Sequence, residues 1–194
     1  MKRNQQFFIL PLIAVGYFLL HLADMDLSAG EYMTDSGKSL SIEESHPQGV
    51  SLSNIRLNSS GFEHNLSEII EDIDPIHQVY VTDLDGNGFD EFYIVTVSKG
   101  SGSYGTIIAY ASNNDKSLSR IHFPEAEEGD KLFTGYMGHD KFQVSGSEIL
   151  RSFPIYLPSD NNSNPTGGRR QLTYRLFPGE ASWQLKIMDS SNIE

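Results

Sequence analysis

The chain contains no cysteine. Disulfide frameworks, thiolate zinc sites, iron–sulfur clusters and cysteine nucleophiles are therefore excluded. So is a lipoprotein, because lipid attachment after a signal segment needs a cysteine. Basic residues are few: 14 Lys and Arg stand against 26 Asp and Glu, a formal charge of −12. With a pI near 4.8, the charge balance argues against a basic stripe for phosphates, and no nucleic-acid partner is expected. Long apolar runs are scarce. The one clear run covers 7–20 (FFILPLIAVGYFLL) and is broken by Pro11 and Gly16. It falls short of the ~20 residues that cross a bilayer.

That run fits an export signal better than a span. Lys2 and Arg3 precede it, no acid lies before it, and the small residues Ala23, Ser28, Ala29 and Gly30 follow. This is the layout of a secretory signal peptide at 1–29, with cleavage after Ala29 or Gly30. An uncleaved N-terminal anchor is the other reading. Both place the remaining chain outside the cytoplasm, and no stable membrane span is expected in the mature part. Removing 1–29 takes away two bases and two acids, so the charge stays at −12.

Residues 30–48 are polar and read as a flexible lead-in. A single domain is expected over 49–194. A body of this size buries roughly 70% of its unfolded surface and needs no staples. Short β-type runs recur at 50–57, 76–82, 91–98, 106–112, 116–122, 142–145 and 149–156. The run at 91–98 (EFYIVTVS) is apolar on both faces, as a central strand would be. Leu172, Tyr174 and Leu176 alternate with polar residues, as do Trp183, Leu185 and Ile187, and Pro178-Gly179-Glu180 makes the turn between them. Helix is limited to a turn or two at 66–72 or 125–131. The fold class is all-β: an antiparallel β-sandwich, or flattened barrel, of about eight short strands.

Two loops carry candidate chemistry. In 83–91 (DLDGNGFDE), Asp83, Asp85, Asn87 and Glu91 set side-chain oxygens at positions 1, 3, 5 and 9, and the Phe89 carbonyl falls at position 7. Hard calcium takes such oxygen rings. Ile94 stands where an EF-hand needs Glu, and strands flank the loop, so an EF-hand is excluded. A calcium-binding β-turn of the FG-GAP kind remains, beside a plain turn whose carboxylates cap amides. The second loop, Ser101, Gly102, Ser103, Tyr104 and Gly105 after Gly100, matches G-x-G-x-x-G. A dinucleotide fingerprint must open a helix, whereas Thr106-Ile107-Ile108 continues as a strand. The same objection removes a serine nucleophile elbow at Ser103. What survives is a glycine hairpin able to present two hydroxyls and one aromatic ring. Its alternative is a hairpin whose Tyr104 folds back on the sheet.

The five histidines beyond the signal segment, at 46, 64, 77, 122 and 139, include no i+2 or i+4 pair, so no zinc set is expected. His139-Asp140 reads as a hydrogen bond that fixes a loop. No spacing singles out a catalytic carboxylate pair. Arg169-Arg170 begins the last hairpin or meets an acidic partner.

Six segments then occur in one order: 83–93 (DLDGNGFDEFY), 101–105 (SGSYG), 136–140 (YMGHD), 153–156 (FPIY), 165–171 (PTGG, then Arg170-Gln171) and 179–183 (GEA, then Trp183). This series resembles the periplasmic inhibitors of i-type (invertebrate) lysozyme, over about 76–187. Ser182 departs from the expected Gly beside a turn. The resemblance implies a β-sandwich-like fold, a periplasmic location, and a non-enzymatic function that needs no cofactor. It implies a partner, i-type lysozyme, whose cleft is plugged by the loop carrying Ser101 and Tyr104. Tyr136, His139, Arg169 and Arg170 are candidate secondary contacts, and a homodimer is a further implication. The alternative is a calcium-dependent FG-GAP-like adhesion or glycan-binding module on the acidic loop. An exported hydrolase ranks behind both.

Overall fold

The order of polar and apolar residues in 91–97 sets the architecture. Every residue from Glu91 to Thr96 is buried. Successive side chains of a strand point to opposite faces, so this strand must be covered twice. The computed structural model, which describes residues 26–126 and 129–193, supplies two covers. Tyr93 and Val95 enter one core with Ile107, Phe153, Leu172, Tyr174 and Leu185. Phe92 and Ile94 enter a second core with Leu40, Ile42, Ile55, Leu57 and Tyr110.

Twelve strands and one short 3-10 turn make up the described residues: β1 Asp26–Met33, β2 Ser39–His46, β3 Ser53–Ser60, β4 Ser67–Ile73, β5 Ile76–Thr82, β6 Glu91–Val97, β7 Gly105–Ser112, β8 Leu118–His122, the turn Lys131–Phe133, β9 Lys141–Ser145, β10 Glu148–Pro154, β11 Arg169–Pro178 and β12 Trp183–Ile193. The first four strands form one sheet in sequence order. The other eight form a sheet ordered β5-β6-β7-β8-β12-β11-β10-β9. That sheet curls until its edges nearly meet. The Tyr80 hydroxyl of β5 donates to the Phe142 carbonyl of β9 at 2.9 Å across the seam. The first core fills this barrel-like sheet, and the second lies between its β5–β7 side and the four-stranded sheet.

The all-β expectation holds, with more strands than the eight or so expected. Most pairings are antiparallel; β12 meets β8 in parallel through Trp183–Gln184 and Ile121–His122. The final hairpin pairs Leu176 with Leu185 and Tyr174 with Ile187, with an irregularity at Thr173/Tyr174.

The flexible lead-in at 30–48 is corrected. It lies largely in β1 and β2, which pair over Asp26–His46 to Met33–Ser39. Leu40 and Ile42 point inward and are fully or almost fully buried. The next inward position is Glu44, whose buried carboxylate accepts from the Ile76 amide at 2.8 Å. With only two apolar residues, the period-2 pattern of β2 is short, and the polar average hides it. The helical turn expected at 66–72 is likewise replaced by β4, paired with β3. At 125–131 the only helical geometry described is the 3-10 turn starting at Lys131. The signal segment lies outside the described residues up to residue 25, and β1 already runs through its expected cleavage points.

Leu40→Ala removes a fully buried side chain from the second core. It should cost about 2–5 kcal/mol in urea denaturation, whereas a flexible lead-in would lose nothing.

Candidate functional site

The glycine loop joins β6 to β7, which close on the pair Val97 and Gly105. Its two ends are tied together. The Ser98 amide donates to the Tyr104 carbonyl at 2.9 Å, and the Tyr104 amide donates to Ser98 Oγ at 2.8 Å. A second loop, 136–140, is clamped beneath it. The His139 amide donates to the Gly102 carbonyl, and the Gly105 amide donates to Asp140 Oδ2 at 2.8 Å. The loops sit so close that a Cβ on Gly138 would collide with the Gly102 carbonyl. A Cβ on Gly105 would reach Phe142 Cε2 at 2.7 Å and Asp140 Cβ at 2.9 Å. These two glycines are required by space. Ser103 and His139 both hold left-handed backbone angles, φ 43° and 59°. Such strain, on the order of 1 kcal/mol or more per residue, persists because the surrounding hydrogen bonds over-determine the loops.

The clamp is anchored by a buried charge pair. Arg151 Nε donates to Asp140 Oδ1 at 2.7 Å, with the two side chains 3% and 0% exposed. Its Nη2 donates to the Tyr136 hydroxyl at 2.7 Å, and that hydroxyl donates to Asp140 Oδ2. The guanidinium carbon lies 5.1–5.9 Å from the ring centres of Phe123, Phe133, Tyr136, Phe142 and Phe153. A cation over ring faces is attracted by their negative quadrupoles. Burial disfavours the Arg151 charge, but hydrogen bonding to Asp140 and that residue's charge outweigh it and hold the pKa above its usual value. Burial likewise pushes the Tyr136 hydroxyl up, so it stays a protonated donor.

On this base Tyr104 is 48% exposed. Its ring meets Tyr136 edge-on, with centres 5.6 Å apart. Ser101 is exposed, and Asn162 donates to its carbonyl at 3.3 Å. Gly102 and Gly105 are buried, and Ser103 is half-buried. Beside Tyr104 opens a cavity of about 610 Å³, floored by Arg151, Phe133 and Tyr136 and edged by Glu125 and Asp130.

Of the candidate secondary contacts, Tyr136 and His139 belong to this platform. His139 stacks near Tyr156, with ring centres 6.2 Å apart. The two arginines are engaged in the frame. Arg170 donates to the Lys131 and Leu132 carbonyls at 3.1 and 2.8 Å, and Arg169 donates to Ser152 Oγ at 3.2 Å. Sequence reasoning missed Arg151. The one available signal was a charge at an inward position of the run Ile149-Leu150-Arg151-Ser152-Phe153.

The acidic turn lies at the other end of β6. Asp83 Oδ1 accepts from the Gly86 and Asn87 amides at 2.8 and 3.0 Å, and its Oδ2 accepts from the Gly88 amide at 2.8 Å. Asp85 accepts from the Asn87 amide at 3.0 Å, and Asn87 Oδ1 accepts from the Phe89 amide at 2.8 Å. Among the described residues, Asp83, Asp85 and Glu91 are the one group of three or more acids or histidines that converges, each offering an oxygen within 4.8 Å of the others. Burial, followed by the charges of Asp85 and Asp83, pushes the Glu91 carboxyl up to about 8, against the pull of the Leu84 amide and the Tyr93 hydroxyl.

Comparison with protein-family models, with curated proteins and with solved structures finds no match.

Two outcomes follow from these geometries. Asp140→Ala leaves Arg151 buried without its counter-charge and should cost about 3–5 kcal/mol in urea denaturation. Asp140→Ala/Arg151→Met should recover part of the loss, and a double-mutant cycle measures the coupling. For Glu91, the folded value of about 8 lies above the ordinary 4.5. The folded chain binds this proton more tightly, so its stabilisation is full below pH 4.5 and declines as pH rises towards 8. Melting temperatures in chelating buffer should fall across that window, and Glu91→Gln should flatten the slope.

Proposed function

We propose that this protein is an exported inhibitor of i-type lysozyme that acts in the periplasm. In this reading the glycine loop enters the lysozyme cleft and blocks hydrolysis of the cell wall. One observation carries it: Tyr104 stands half-exposed on a loop already locked by Asp140 and Arg151. A preformed loop gives up little conformational freedom on binding, and this is how rigid inhibitory loops achieve affinity. The order of the six sequence segments supports the same reading, since two of them, 101–105 and 136–140, are the two loops clamped together.

The chemistry required is modest. The hydroxyls of Ser101 and Tyr104 donate hydrogen bonds to the carboxylates of a glycosidase cleft. The Tyr104 ring occupies space meant for a sugar, with Tyr136 as its backing. The cavity beside it, edged by Glu125 and Asp130, receives a basic side chain of the lysozyme. A chain of charge −12 steers a basic enzyme and makes association salt-sensitive. No catalytic residue is needed. The export signal at 1–29 belongs to the same proposal.

The test is a cell-wall lysis assay with i-type, c-type and g-type lysozymes. The purified chain should inhibit the i-type enzyme. Ser101→Ala/Tyr104→Ala should weaken inhibition at least tenfold, in the range of a hot-spot loss of more than about 1.4 kcal/mol. Because Tyr104 is half-exposed and Ser101 exposed, the double variant should melt near the parent. Undiminished inhibition by the variant would remove the loop from the mechanism, and no inhibition of any lysozyme would remove the function.

A further inference from the structure

Glu91 opens β6 with its side chain wholly buried. Its Oε2 accepts from the Leu84 amide at 2.8 Å and from the Tyr93 hydroxyl at 3.2 Å. Its Oε1 is buried and has no hydrogen-bond partner among the described residues. A buried polar oxygen with no partner is costly whether the carboxyl is protonated or ionised, and such atoms are rare in folded proteins. The lysozyme reading makes no use of it.

The neighbours of Glu91 supply the reason. Carboxylate oxygens of Asp83, Asp85 and Glu91 all lie within 4.8 Å of one another. Calcium binds oxygens at about 2.3–2.6 Å, so ligands on opposite sides of it stand about 4.6–5.2 Å apart. Magnesium, at about 2.0–2.1 Å, needs a tighter ring of about 4.0–4.2 Å. The 4.8 Å limit admits either ion; a ring built from several protein oxygens favours calcium, because magnesium usually keeps several waters and takes only one or two carboxylates. The amides already bound to Asp83 and Asp85 do not exclude it, because an ionised carboxylate offers about four lone-pair directions. Those amides fix the oxygens in place, as supporting contacts do in metal sites generally.

We propose that Asp83, Asp85 and Glu91, with the Asn87 side chain beside them, form a calcium site at the turn between β5 and β6. Its role is structural. The ion's two positive charges offset most of the repulsion among three carboxylates at the strand end shared by both cores. It also steadies Asp90, whose Oδ2 accepts from the Asp35 amide at 2.6 Å and ties the β1–β2 turn to the barrel. The glycine loop leaves the far end of the same strand, roughly 20 Å away at ~3.3 Å per residue. The proposal therefore stands apart from the lysozyme reading.

The test is isothermal titration of the chelator-treated full chain with calcium chloride, with thermal melts alongside. Saturable binding is expected with Kd on the order of 10⁻⁴–10⁻³ M, the range of extracellular calcium modules. The melting temperature should rise with calcium and respond less to magnesium. Asp85→Asn and Glu91→Gln should each weaken binding at least tenfold. Asp85→Asn keeps an oxygen for the Asn87 amide, so its metal-free melting should match the parent and separate lost binding from lost folding. No saturable binding up to about tenfold above that Kd range would overturn the site. So would binding that survives both substitutions.

Discussion

A guanidinium buried among five aromatic rings decides the form of one end of this barrel. Arg151 cannot discharge, and it cannot reach water at 3% exposure. It must therefore be held by Asp140, and Asp140 must face it. That requirement places Asp140 where its second oxygen meets both the Gly105 amide and the Tyr136 hydroxyl. The two loops that carry the proposed binding surface are thus positioned by a charge that had to be satisfied. Buried ion pairs often add little net stability over apolar packing. Here the pair gives geometry, because every one of its hydrogen bonds ends on a loop or on the residue that supports it.

The second constraint is β6. It has no face towards water, so it can be neither an edge nor a lid. The four-stranded sheet exists to cover Phe92 and Ile94, and the curled sheet closes around Tyr93 and Val95. Both candidate sites hang from the ends of this strand. The acidic turn leads into Glu91, and the glycine loop leaves after Val97. A strand fixed on both faces is a rigid rod between them. Its two ends can serve different purposes, one bracing the fold and the other meeting a partner.

Much of this was readable beforehand, and for physical reasons. The double-sided apolar run at 91–97, the alternation through Leu172, Tyr174 and Leu176, and the turn before Trp183 are local patterns that report burial directly. The glycine loop was legible as a hairpin because β-branched residues follow it. The acidic turn was legible because its oxygens recur at fixed spacing. Other features depend on distant partners. Leu40 and Ile42 are too few to mark a strand until the second core shows what they cover. The strand at Ser67–Ile73 has a mixed pattern that suits a helical turn equally well. The parallel pairing of β12 with β8 joins segments some sixty residues apart and leaves no local trace. Arg151 carries no motif; its meaning lies in the five rings around it, which come from four separate parts of the chain. His139-Asp140, by contrast, was readable as a loop-fixing pair, although the work is done by Asp140 through Arg151 rather than by the histidine.

The account rests on a loop that is ordered before any partner arrives. Hydrogen exchange of the free chain, repeated with i-type lysozyme present, tests this most directly. The account predicts that the Gly105 and His139 amides of the free chain are protected nearly as well as those of β6. It further predicts that new protection on adding lysozyme is confined to the glycine loop, the 136–140 loop and the rim of the adjoining cavity. Fast exchange at Gly105 and His139 in the free chain, or new protection on another face, would contradict it.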